Sequence, residues 1–229
     1  MDKFVINGNR ELTGEIEVRG SKNAAGPCLV ASLLTEEDCV IDNLPLIEDI
    51  SVTLEILKDL GVTVEFLGER TVKLNSKNIS LENIDFEKFA KSRISVLFIG
   101  PLIVRFNQFK FPSPGGDKIG LRPISVQLNA LRKLGIRISR EDGYYLVDRD
   151  EILGKEIILE EFSVTATEIL MMVSVLAKGV TIIKGAAAEP HVHDLGNLLL
   201  KMGAKVKGHG THTIEIEGVE KLNGCNHKV

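Results

Sequence analysis

The sequence predicts an α+β fold built from one supersecondary unit used three times. Three observations carry that expectation. A leucine–glycine signature recurs at roughly 70-residue spacing, two alternating strands follow each copy, and a strand and a helix precede at least two of them. The first signature is Leu54-Glu-Ile-Leu57-Lys-Asp-Leu60-Gly61-Val62-Thr-Val64. It returns at 128–138 around Gly135 and at 199–206 around Gly203. Leucines three residues apart share one helix face, the glycine supplies a left-handed cap, and alternation sets the strand.

In chain order, residues 14–18 alternate as a strand, 24–34 read as a small-residue helix, and 39–42 make a second strand. The helix carrying Leu54 and Leu57 stops at Gly61, and strands follow at 62–66 and 71–74. The middle copy has the least distinct front half, a helix from 86 to about 104; Arg122-Pro123 then opens a helix running to Leu134. The last copy repeats the first, with strands at 156–159 and 180–184, a helix at 165–177, and strands at 204–207 and 213–217. The unit is therefore β-α-β-α-β-β. Three copies either close around a pseudo-threefold axis, helices inside and sheets outside, or stand as separate α/β sandwiches. No Pro- or Ser-rich linker separates them, which favours closure.

Composition narrows the function. With 44% hydrophobic residues, the chain of 229 residues has the apolar content to bury a core without disulfide or metal staples. A net charge of −4 gives no electrostatic reason for a nucleic-acid partner, and the absence of Trp argues against a base-stacking platform. Three cysteines with no CxxC spacing point to a reducing, cytoplasmic setting. The N-terminus lacks the apolar core of a signal peptide. The apolar run at 94–104, interrupted by Pro101, is about half a membrane span, so no membrane is expected.

Two stretches can carry chemistry. In Arg19-Gly20-Ser21-Lys22-Asn23-Ala24-Ala25 a strand ends, glycine turns the chain and a helix begins at Ser21 or Lys22. Free N–H groups and a lysine at a helix start suit a phosphate or carboxylate; a serine N-cap beside a solvated lysine is the plainer reading. The second stretch, Pro114-Gly115-Gly116-Asp117-Lys118-Ile119-Gly120-Leu121-Arg122-Pro123, is a loop carrying one acid. It is either a lid or a surface turn. Arg93 stands at the mouth of the apolar run, where a cation either faces solvent or pairs with an anion. His191 and His193 have the spacing of a metal pair on a strand, but no third ligand accompanies them, so no metal is expected.

Together these turns, this loop and the repeats resemble the UDP-N-acetylglucosamine 1-carboxyvinyltransferases, a branch of the enolpyruvyl transferases, along essentially the whole chain. The shikimate-pathway branch, which characteristically follows its lysine with serine, is the weaker match. The resemblance implies the inside-out α/β barrel of three β-α-β-α-β-β units, no cofactor, and transfer of enolpyruvyl from phosphoenolpyruvate to the 3′-hydroxyl of UDP-N-acetylglucosamine. This is the committed step of peptidoglycan synthesis. It further implies that Lys22 and Asn23 hold phosphoenolpyruvate and the sugar. Arg93 and the segment Arg122-Pro123-Ile124-Ser125-Val126 engage phosphates and uridine, and Ser163 and Val164 contact the nucleotide. Asp117 takes the position where most members carry the cysteine that protonates C3 and is alkylated by fosfomycin; some active members have aspartate there.

Departures from the pattern concern the acceptor pocket. Glu161 replaces a lysine, Thr165-Ala166-Thr167 replaces Gly-Ala-Thr, Leu97 replaces a tryptophan and Ser125 an aspartate. The resemblance also implies a second domain of similar size, to which the opening strand at 1–21 belongs, carried in trans by a second chain if not by this one. Residues 22–229 then form one domain, with repeats at about 22–82, 83–150 and 151–229. By this reading the isolated chain is inactive. The alternative is a non-catalytic paralogue that binds a nucleotide sugar or a protein.

Overall fold

The structure is a computed structural model describing residues 3–115, 120 and 123–229. The first unit contains α1 (Lys22–Ala31), a 3-10 turn at Ser32–Leu34, β1 (Cys39–Asp42), α2 (Glu48–Asp59), β2 (Thr63–Gly68) and β3 (Thr71–Asn75). The second contains α3 (Phe86–Phe89), a 3-10 turn at Arg93–Phe98, α4 (Ile99–Arg105), β4 (Gln108–Pro112), α5 (Ser125–Lys133), β5 (Arg137–Glu141) and β6 (Tyr144–Asp148). The third contains β7 (Glu156–Ile158), α6 (Val164–Ser174), β8 (Val180–Lys184), α7 (Pro190–Lys201), β9 (Lys205–Lys207), β10 (Thr213–Glu217) and then β11 (Cys225–Lys228).

The repeated signature folds the same way each time. After α2, α5 and α7 a glycine takes positive φ: Gly61 at 87°, Gly135 at 100° and Gly203 at 92°. In each case the glycine N–H reaches back three residues, to Lys58, Arg132 or Leu200. The next N–H reaches back five, to Leu57, Leu131 or Leu199. These are three Schellman caps, and they turn each helix into its strand.

Helices lie inside and sheets outside. α1 is buried continuously from Ala24 and α6 from Ala166, whereas β10 alternates buried and exposed positions along its length. α6 packs against α4, α5 and α7, and α1 against α2 and α7, so the units share one core. Phe89, Phe98 and Phe111 meet edge-on in that core with ring centroids 5.5 Å apart. Burial of each such side chain contributes about 1.5–3 kcal/mol.

The sheets depart from the sequence expectation at their leading strands. In the third unit β7 lies parallel to β8, giving the order β7-β8-β10-β9. The first sheet has the same plan, β11-β1-β3-β2, but its parallel leading strand is β11. Residues 14–18, which alternate as a strand, form none; Leu12 and Ile16 are 95% and 93% exposed. A strand needs a neighbour's edge, and the register from Cys39↔Cys225 to Asp42↔Lys228 already occupies the edge of β1. The second sheet, β4-β6-β5, has three antiparallel strands and, among the described residues, no parallel leader. The single helix expected over 86–104 is broken at 92, because the Ser92 side chain caps a fresh start at Ile94. The helix expected from Arg122-Pro123 begins at Ser125, with no side-chain cap at Ile124.

Candidate functional site

In a β-α-β-α unit both helices run opposite to the strands, so their N-termini gather at one end. Three serines at equal spacing mark that end. Ser21 Oγ accepts from the Asn23 N–H at 3.2 Å, Ser92 Oγ from Ile94 N–H at 3.2 Å, and Ser163 Oγ from Ala166 N–H at 3.3 Å. Each is an N-cap on a front helix, and the residues that follow are Lys22, Arg93 and Val164.

Side chains tie these starts together. Lys22 Nζ donates to Asp49 Oδ2 at 2.9 Å, and the Ser92 hydroxyl donates to Asp49 Oδ1. Arg93 Nη2 donates to the Pro123 carbonyl at 3.0 Å, just ahead of α5. Gln127 Nε2 on α5 donates to Thr165 Oγ1 at 2.5 Å, and the Ala187 N–H, ahead of α7, donates to Thr167 Oγ1 at 2.9 Å. The rim thus runs from α1 and α2 through the Arg93 turn to α5, α6 and the approach to α7.

Lys22 and Asn23 are exposed on this rim and Arg93 is half-buried. Pro123 and Ser125 are exposed, Ile124 is buried and Val126 packs partly against the core. What Ile124 and Val126 can offer a ligand is therefore backbone at the start of α5. Ser163 is buried by its capping role and Val164 is half-buried. Asp117 and Arg122 lie outside the described residues. Burial alone would raise the Asp49 carboxyl, but the hydrogen bonds from Ser92 and Lys22 outweigh it and hold the group below its ordinary value. Free N–H groups, aligned helix dipoles and two cations bring partial and full positive charge to this rim.

The departures acquire a location. Leu97 is 2% exposed and belongs to the core. Glu161 is exposed, and Phe162 beside it lays its ring against His212 at 4.7 Å. Thr165 and Thr167 both make rim hydrogen bonds. His191 and His193 sit on α7 rather than a strand, where residues two apart do not share a face. His193 stacks on His209 at 4.7 Å, and Asn197 bonds both rings.

Sequence reasoning does not pick out Asp49, Gln127 or Glu168. Glu168 is 2% exposed and, among the described residues, its Oε1 has no hydrogen-bond partner; burial, and then the Glu189 charge, push its carboxyl well above the ordinary value. The available signal was one acid inside an apolar helix. Asp49 and Gln127 look like ordinary helix residues until the units come together.

A three-unit domain with helices inside and their starts gathered at one rim has the fold of the enolpyruvyl transferases. NikO, an enolpyruvyl transferase from Streptomyces tendae, superposes with a TM-score of 0.83 at 18% identity, over 97% of this chain and 53% of its own. An EPSP synthase from Acinetobacter baumannii gives 0.71 at 21% identity, over 97% and 51%. The chain belongs to the EPSP synthase (3-phosphoshikimate 1-carboxyvinyltransferase) family, whose sequence profile matches residues 6–229. It is 41% identical to the UDP-N-acetylglucosamine 1-carboxyvinyltransferase of Hydrogenovibrio crunogenus over 229 residues, all of this chain and 55% of that protein. It is 46% identical to UDP-N-acetylglucosamine 1-carboxyvinyltransferase 1 of Carboxydothermus hydrogenoformans over 229 residues, all of this chain and 54% of that one. The chain spans about half the length of these relatives. Among the described residues, no helix is long and apolar enough to cross a membrane.

Proposed function

We propose that this chain carries one half of an enolpyruvyl transferase site that joins phosphoenolpyruvate to the 3′-hydroxyl of UDP-N-acetylglucosamine and releases phosphate, in peptidoglycan synthesis. The supporting observation is the rim of serine-capped helix starts, with Lys22 held on Asp49 and Arg93 on the Pro123 carbonyl. Both substrates are phosphate-bearing anions, and the rim concentrates positive potential where they would lie. In this reading Lys22 leaves Asp49 for the phosphoenolpyruvate phosphate. Asn23 contacts the sugar, and Arg93 and Arg122 neutralise phosphate. The backbone at Pro123, Ile124, Ser125, Val126, Ser163 and Val164 receives the nucleotide.

Asp117 is assigned the proton that C3 gains when the sugar oxygen bonds to C2. It can donate only if its surroundings raise its pKa from about 3.9. Residues 1–21 are assigned to a second domain, from the same polypeptide or a second chain, which completes the site. Without it the cleft cannot close over the substrates and exclude water, so the isolated chain turns over negligibly.

Calorimetric titration with UDP-N-acetylglucosamine, with UDP as reference, tests this reading. Saturable binding that prefers the sugar nucleotide and is weakened in Asn23→Ala supports it. Equal binding of UDP, or no response to Asn23→Ala, removes the acceptor assignment. Because Asp117 offers no thiolate, fosfomycin leaves the protein's mass unchanged; a covalent adduct on Asp117 would refute that assignment.

A further inference from the structure

α1 packs against α7 and α7 against β11, and a cluster lies among them that the proposed reaction does not use. Cys28 on α1 is fully buried, His227 on β11 is 4% exposed, and Asp194 on α7 stands between them. Cys28 Sγ lies 3.9 Å from Asp194 Oδ2, and His227 Nε2 lies 3.1 Å from Asp194 Oδ1. One ligand atom from each residue falls within 4.8 Å of the other two. A tetrahedral site with one metal–sulfur bond of about 2.3 Å and metal–nitrogen or –oxygen bonds of about 2.0–2.1 Å has edges of roughly 3.3–3.6 Å, so the side chains need close by about 1 Å at most.

We propose that Cys28, Asp194 and His227 form a zinc site that fastens β11 to α1 and α7. The donor set chooses the ion: thiolate and imidazole suit zinc, whereas magnesium and calcium require an all-oxygen shell. The three ligands come from elements far apart in the chain, so the ion joins the first unit to the segment that completes its sheet.

Without an ion, protons hold the cluster. The Cys28 thiol and the His227 Nε2–H both point at the Asp194 carboxylate, and Lys201 Nζ lies 3.2 Å from His227 Nδ1, which therefore accepts. Zinc replaces both protons: the thiol proton leaves to solvent and the ring proton moves to Nδ1. Lys201 is exposed and can turn outward to make room. Cys39 and Cys225 face each other in register beside the cluster and supply a control, because they offer a different pair of thiols.

Cobalt(II) titrated into the reduced full-length chain reports the site. One equivalent is expected to give a thiolate-to-cobalt charge-transfer band that zinc abolishes by displacement. The band should vanish in Cys28→Ser and in His227→Gln and persist in Cys225→Ser. Asp194→Asn gives a second reading should Cys28→Ser not fold. Zinc should raise the melting temperature of the parent chain but not of His227→Gln. No band in excess cobalt would overturn the site, as would a band that survives Cys28→Ser or is lost in Cys225→Ser. Equal zinc stabilisation of His227→Gln would do the same.

Discussion

At one end of the helix layer the front helices begin at Ser21, Ser92 and Ser163, with Lys22 and Arg93 beside them. At the other end α2, α5 and α7 finish in left-handed glycines, and two arginines attend to the helix carbonyls that remain. Arg105, 17% exposed, donates to the carbonyls of Leu33 at 3.0 Å and Ser76 at 3.3 Å. Arg149 Nη2 donates to the Val104 carbonyl at 2.8 Å. Both arginines line a cavity of about 560 Å³. Positive charge at a helix C-terminus offsets the dipole. There the arginines are held by backbone carbonyls, with Glu36 also 3.5 Å from Arg105; at the start end, Lys22 is held by an aspartate that, in the proposed reaction, an incoming anion displaces. Only the second arrangement leaves a charge for a ligand.

Substitutions at the two ends should therefore divide between stability and binding. Arg105→Met has the largest expected effect, a loss of about 2–3 kcal/mol in urea unfolding, because buried carbonyls lose charged donors. Binding at the rim should be unchanged; a loss below about 0.5 kcal/mol would mean the carbonyls find other partners. Next come the caps. Gly61→Ala should cost about 2 kcal/mol and Gly135→Ala about 1, since alanine pays the left-handed penalty at both. A Cβ on Gly61 would in addition meet the Asn78 carbonyl at 2.7 Å, whereas one on Gly135 meets nothing nearer than Lys155 Nζ at 3.7 Å. Equal melting shifts would show that the cap alone matters.

Lys22→Ala reverses the pattern, with phosphoenolpyruvate or nucleotide-sugar affinity falling about tenfold while stability moves by less than about 0.5 kcal/mol, as expected for an exposed pair. A drop in stability without a drop in affinity would make Lys22 a structural residue. The smallest effect belongs to Asp49→Asn. Its carboxyl is held below the ordinary 3.8, so its contribution is present above that pH and lost as pH falls through the folded value. The stability gap between variant and parent should be of order 0.5 kcal/mol at pH 7 and narrow below about pH 4. A gap that widens in acid would refute the sign.

The caps were legible because each lies within a dozen consecutive residues, where spacing and a glycine determine the geometry. Lys22 was legible as a helix start for the same reason; Arg93 was not, because 86–104 reads as one helix until the Ser92 cap breaks it. The leading strand of the first sheet was not. Residues 14–18 alternate and pair with nothing here, while Cys-Asn-His-Lys at 225–228 shows no apolar alternation yet takes the edge of β1. Strand pairing depends on a distant partner, which a local pattern does not contain. The same limit hid Asp49, whose role exists only once Lys22 reaches it from α1 and Ser92 from the second unit.

The pairing of β1 with β11 also sets an order of events during synthesis. Strands β1 and β3 can pair as soon as the first unit leaves the ribosome, but the outer edge of β1 waits for residue 228. For most of translation that edge is an unpaired template for another chain, the situation in which strand exchange and aggregation compete with folding. The nascent protein is most exposed to its neighbours through the strand it made first.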